Sequence, residues 1–162
     1  MSEHIIAIAS YGYIVHFDGN QWRVLEEGLA GTRSAAAACA LSNGDILIAR
    51  YPGGGIDRFV DYVSTVEVDL SDEQSPVRIS GFWRYSDTDI YAVAYQWRPG
   101  AMAEPYSDPT VAWLIYHYDG TGWSKQGIGD LQVVLNAVWG SPTGRIWLVG
   151  GGGTIVYREP VI

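Results

Sequence analysis

The chain has 162 residues, 48% of them hydrophobic and 13% aromatic, and a formal net charge of −8 at pH 7, which suits one packed domain and argues against disorder. A single lysine, Lys125, stands beside nine arginines, so no basic stripe exists to neutralise a phosphate backbone and nucleic acid is not expected as a partner. No apolar run approaches the roughly 20 residues of a membrane span and Met1-Ser-Glu-His4 does not open an export signal, which predicts a soluble, cytoplasmic chain with no membrane contact.

Short runs rich in Ile, Val, Tyr and Trp alternate with Gly, Asp, Ser and Pro turns, and no helical stripe of useful length appears. The expected class is all-β, with strands over about half the residues and no helix longer than two turns. From the start, strands are predicted at Ile5–Ala9, Tyr13–Phe17 and Gln21–Leu25, then at Ala35–Leu41, Ile46–Arg50, Ile56–Phe59 and Val63–Asp69. They continue at Val77–Arg84, Ile90–Ala94, Val111–Tyr118 and Gly122–Gln126, and end with Val133–Gly140, Ile146–Gly150 and Thr154–Tyr157. With the strands of one repeat lettered A to D, the order is BCD, ABCD, ABCD, ABC. The run Ala35–Ala40 has the narrow side chains of a strand crowded near a propeller axis, with a short helix as the alternative. Cys39 within it has no partner for an intrachain disulfide and reads as a small buried hydrophobe.

The strands repeat in register. Ile14-Val-His-Phe-Asp-Gly-Asn-Gln-Trp22 recurs as Ile115-Tyr-His-Tyr-Asp-Gly-Thr-Gly-Trp123, and Ile5–Val15 aligns without a gap on Ile146–Val156, three periods of about 47 residues apart. Strand-rich repeats of that period mark a β-propeller. The reading is one propeller domain over residues 1–162, with partial blades at 4–25 and 132–158 and complete blades at 34–69 and 77–126. The stretch Leu135-Asn-Ala-Val-Trp-Gly-Ser-Pro-Thr-Gly-Arg-Ile-Trp-Leu-Val-Gly-Gly-Gly-Gly-Thr-Ile-Val156, joined to the hydrophobic-His-aromatic-Asp-Gly-x-x-Trp segment, resembles the blade repeat of bacterial β-propellers. Tectonin-type lectin repeats and photosystem assembly factor-like propellers are similar. The resemblance is close in the last 50 residues or so, fair in the first 25 or so, and poor between residues 51 and 78. It implies a propeller, and since such proteins range from sugar binding to scaffolding it does not imply one function.

Most recurring residues have structural explanations. Asp18-Gly19 and Asp119-Gly120 carry the chemistry of a tight hairpin, the carboxylate bonding its own turn while Gly takes positive φ. His16 and His117 occupy the same place in different blades, which predicts packed or hydrogen-bonded histidines rather than a shared metal site. Trp22 and Trp123 are expected to pack between blades. Gly150–Gly153 lies between two strands with no helix after it, so it is a turn and not a phosphate loop. No Gly-x-Ser-x-Gly, His-Glu-x-x-His or Cys-x-x-Cys pattern occurs, and the sialidase box Ser-x-Asp-x-Gly-x-x-Trp is incomplete at Ser42 and Ser86. Asp69-Leu-Ser-Asp-Glu73 lacks calcium-loop spacing. Neither catalysis nor a metal or other cofactor is expected.

Topology points to one face. In an up-and-down meander the B-to-C and D-to-A loops emerge together, and here they are the long ones. They carry Tyr51, Asp72, Glu73, Trp97 and the insertion Arg98–Pro109, and with Arg98, Glu104, Tyr106 and Asp108 they combine planar side chains with carboxylates. These residues are the candidate binding site, and the expected function is a non-catalytic propeller module that binds a protein, with carbohydrate as the alternative. A half-ring leaves two apolar blade faces in water, so a twofold homodimer is favoured over a closed four-bladed monomer.

Overall fold

The computed structural model describes residues 5–8, 13–26, 34–51, 53–60, 63–71, 77–96, 112–127 and 135–159. Among them are fourteen strands in four antiparallel sheets, in the BCD, ABCD, ABCD, ABC order read from the repeats. The chain is all-β and built of β-propeller blades, two four-stranded and two three-stranded. Its backbone divides into two compact units, Met1–Ser71 and Asp72–Ile162. No helix among the described residues is long and apolar enough to cross a membrane.

The first unit holds the sheet β1 (Ile5–Ile8), β2 (Ile14–Phe17), β3 (Trp22–Glu26) and the sheet β4 (Ser34–Ala40), β5 (Ile46–Tyr51), β6 (Gly55–Val60), β7 (Val63–Asp69). Ala35–Ala40 is strand and not helix, paired along β5 from Ser34↔Tyr51 to Ala40↔Ile46. Small side chains there let β1 lie against β4. One face of the first sheet meets the second through Ile14, Ile46, Ile48 and Phe59, with Ile6, Ala35 and Ala38 around them. Each large apolar side chain so buried stabilises by roughly 1.5–3 kcal/mol.

The second unit repeats the design with β8 (Val77–Ser86), β9 (Asp89–Gln96), β10 (Ala112–Tyr118), β11 (Trp123–Gln126) and with β12 (Leu135–Gly140), β13 (Ile146–Gly150), β14 (Ile155–Arg158). Val93 and Ile115 of one sheet pack on Leu135, Val138, Ile146 and Leu148 of the other. The three A-to-B pairings each carry a bulge, at Ala35/Ala37, Ile79/Gly81 and Leu135/Ala137, a local kink kept through the repeat. At the middle one, Ser80 Oγ lies 3.2 Å from the Val93 carbonyl and 3.3 Å from the Leu135 carbonyl, with its one proton to donate to either. Strand ends differ from the sequence reading by a residue or two, as helix and strand boundaries do. The Gly150–Gly153 turn is a short 3-10 segment, with Gly152 and Gly153 at φ 66° and 77°.

One buried feature was not foreseen. Arg50 on β5 and Asp57 on β6 are both buried, with Nε and Oδ1 3.2 Å apart, and Asp69 stands 3.6 Å from the Arg50 Nη2. A side chain at Gly55 would fall on the Arg50 guanidinium, so that glycine is the floor on which the arginine lies.

Candidate functional site

The repeated hairpins have the expected chemistry. Asp119 Oδ1 accepts from Thr121 Oγ1 at 2.7 Å, Thr121 N–H at 2.8 Å and Gly122 N–H at 3.1 Å, while Gly120 takes φ 90°. Those donors, the Thr121 hydroxyl first, hold the Asp119 carboxyl down at about 2. Asp18 accepts from the N–H groups of Gln21 and Asn20, both at 3.0 Å, and its pKa is lowered by them. Because these folded-state values lie below the ordinary 3.8, the hairpins gain stability above that pH and lose it as pH falls toward 2. Carbon-detected NMR titration should give an Asp119 carboxyl midpoint near 2; a midpoint at the ordinary value would contradict the geometry. Asp45 and Asp87, in the turns that precede β5 and β9, face arginines, as Asp18 does across 3.4 Å to Arg23: Asp45 Oδ2 lies 3.3 Å from Arg58 and Asp87 Oδ1 2.7 Å from Arg84.

His117 is a hydrogen-bonded histidine, Nε2 2.8 Å from Asp89 Oδ1 and stacked on Tyr91 with ring centroids 4.4 Å apart. His16 sits in register between Ile6 and Arg23. Among the described residues no three His, Cys, Asp or Glu side chains gather where they could hold a metal ion.

Of the long-loop candidates, Tyr51 alone is described, exposed at the end of β5 and paired with Ser34. Trp97, Arg98, Glu104, Tyr106, Asp108, Asp72 and Glu73 lie outside the described residues.

Large apolar side chains are exposed on sheet faces. On the β12–β14 sheet, Trp139, Trp147 and Tyr157 lie in one row across three strands, with Val149 and Ile155 in the next. All but Trp147 are exposed. The two tryptophan rings are 4.9 Å apart, and Arg145, held by Glu159 at 2.9 Å, lies over Trp147 and Tyr157 at 5.8 and 5.6 Å. In the first unit, Ile5, Trp22 and Val24 are exposed on one face of the β1–β3 sheet. Trp22 thus departs from its expected place between blades: it packs on Phe17 of its own sheet at 5.3 Å and stays 53% exposed, because no described strand of that unit covers this face. Trp123 has its ring neighbours, Tyr118 and Phe82, within its own sheet.

The repeat gives these exposures meaning. Ile14, 0% exposed against the second sheet, aligns with Ile155, which is 69% exposed; Ile5, 45% exposed, aligns with Ile146, which is 6% exposed. The bare face of the last sheet is therefore the equivalent of the face the first sheet buries, and the bare face of the first sheet is the equivalent of the one the last sheet buries. A second feature lies beside β14, a cleft of about 230 Å³ whose lining includes Tyr91, Ile115, Gln126, Leu148, Val156 and Arg158.

No protein-family model matches the chain, and no curated protein does. Among solved structures it is similar to the computationally designed Ika4 protein, at 15% identity over 99% of this chain and 88% of that one, with a TM-score of 0.58. It is also similar to YCF48 from Cyanidioschyzon merolae, at 13% identity over 96% of this chain and 66% of that one, TM-score 0.48. The SapL1 lectin, solved with alpha methyl fucoside, matches at 12% identity over 98% of this chain and 76% of that one, TM-score 0.37. At 15% identity the likeness to Ika4 speaks for the fold alone.

Proposed function

We propose that this chain is a non-catalytic binding module whose partner is protein, in the first place a second copy of itself. The observation that carries the reading is the pairing of bare faces by the repeat. The Ile155/Tyr157 face has the character of one that already packs on a neighbouring sheet, and the Ile5/Trp22 face has the character of one that receives such a neighbour. Contiguous apolar faces of this kind mark interaction sites in soluble proteins. A twofold pair that sets the last sheet of each copy on the first sheet of the other covers both with one contact used twice.

Light scattering coupled to size exclusion at micromolar concentration is expected to give twice the chain mass of 17.8 kDa. The double variant Ile155→Ser, Tyr157→Glu should return the mass to one chain with its circular dichroism unchanged, since both side chains are exposed. A wild-type mass near 17.8 kDa sinks the self-association. The insertion from Arg98 to Pro109 is assigned to a partner other than the chain itself, and replacing it by a short Gly-Ser turn is expected to abolish that binding while leaving the fold.

Carbohydrate is the second reading, favoured by the Trp139–Trp147–Tyr157 row with Arg145 at its edge, which offers the flat rings a sugar's apolar face takes. A glycan array separates the two. A lectin that works by repetition places equivalent aromatics in every blade, and here the positions aligned with Trp147 and Tyr157 in the first blade are Ile6 and His16.

A further inference from the structure

The two four-stranded sheets have a D strand hydrogen-bonded along their third strand, whereas among the described residues nothing pairs with the outer edge of β14. The Gly150 N–H donates to the Thr154 carbonyl at 2.9 Å and the β13–β14 register then runs without a shift. By antiparallel alternation Val156 and Arg158 bond back to β13, while Ile155 and Tyr157 turn their N–H and C=O groups outward. The cleft beside this edge is lined on the β14 side by Val156, Tyr157 and Arg158 and on the facing sheet by Ile115, Tyr91 and Gln126.

The repeat says what belongs there. Extending the alignment by two residues sets Ile155–Arg158 on Ile14–Phe17, and in that sheet β3 fills the position, with Trp22 opposite Phe17 and Val24 opposite Val15. Transposed to the last sheet, an aromatic side chain stands opposite Arg158 and an aliphatic one, two residues on, opposite Val156. Both point to the side on which the cleft lies. The aromatic ring can take the Arg158 guanidinium on its face, and the aliphatic group meets Val156, Leu148 and Ile115.

We propose that the β14 edge and its cleft bind an extended segment of a partner protein as a fourth strand, antiparallel to β14, through an aromatic-x-aliphatic pair of side chains. Main-chain bonds to Ile155 and Tyr157 supply affinity and the cleft supplies the side-chain preference, the logic of strand addition to an open sheet edge. The site differs from the self-association face in using the edge of the sheet and its opposite side, with Tyr157 shared by the two.

The test uses the full chain and a labelled nine-residue peptide of the sequence Asp-Gly-Asn-Gln-Trp-Arg-Val-Leu-Glu, copied from residues 18–26, read by fluorescence anisotropy. Binding should saturate and should weaken at least tenfold when the peptide's Trp and Val are both Ser, a change that cannot unfold the protein. Tyr157→Pro should abolish binding, because it removes an outward donor and takes no bond from the sheet. Tyr157→Ala, which loses the same side chain but keeps the donor, should retain most of the binding that Tyr157→Pro loses. Hydrogen exchange of the unliganded chain reads the Ile155 and Tyr157 amides directly, and they should exchange fast until peptide is added. Equal binding of the Ser-substituted peptide, or equal behaviour of the Pro and Ala variants, overturns the proposal. So does protection of those amides without peptide: concentration-dependent protection assigns the edge to a second copy, and concentration-independent protection assigns it to the chain's own residues.

Discussion

Asp57→Ala is expected to destabilise the protein by about 3 kcal/mol, the lower end of the range for removing one member of a buried ion pair. The Arg50 guanidinium cannot follow the lost carboxylate into water, being buried with its partner and seated on Gly55. Asp69 at 3.6 Å, itself largely exposed, offers partial compensation, which keeps the cost from the upper end. Urea unfolding should show the midpoint falling by about 1–3 M for slopes ordinary in a small protein. The double variant Arg50→Met, Asp57→Leu should recover most of the loss, because an apolar pair of similar volume removes the uncompensated charge. A single-variant cost below about 0.5 kcal/mol, the range of an ordinary surface change, would mean that Arg50 finds water and the pair is not buried in solution.

That pair also shows where the sequence was silent. Strand existence and order were legible because Ile46–Arg50 and Ile146–Gly150 share hydrophobic spacing with their counterparts, and the turn residues Asp18 and Asp119 act through neighbours two and three positions away. Local chemistry of that sort is written locally. Arg50 and Asp57 meet only because β5 and β6 pair in one register, Ile48 opposite Asp57 and Ala49 opposite Ile56; the sequence hint is the glycine run at 53–55, whose last member leaves room for the Arg50 guanidinium. The bare faces were harder still. Trp22 and Trp139 look like core residues by type, and only the packing of neighbouring sheets decides whether a face is covered. The insertion Arg98–Pro109 lies outside the described residues, and among those described the exposed large apolar side chains include Trp22, Trp139, Ile155 and Tyr157 on sheet faces.

Ile14→Ala and Ile155→Ala should differ sharply although the repeat makes them one position. Ile14 is fully buried among Ile46, Ile48 and Phe59, so truncation removes its transfer free energy and leaves a cavity, at a cost of about 2–5 kcal/mol. Ile155 is 69% exposed, and its truncation in dilute, dissociated chain should fall within about 0.5 kcal/mol of wild type. Concentration then separates folding from assembly. At micromolar chain the Ile155 variant should shift the association midpoint to higher concentration, since linkage transfers the lost contact to the partner-bound state, while the Ile14 variant should lower stability at every concentration. Urea titrations at two concentrations a hundredfold apart read both effects. If Ile155→Ala costs as much as Ile14→Ala in the dilute chain, its face is already covered within one molecule and self-association through it is ruled out. If its cost appears only on concentration, the face that the first blade buries internally is one that the last blade buries against another copy.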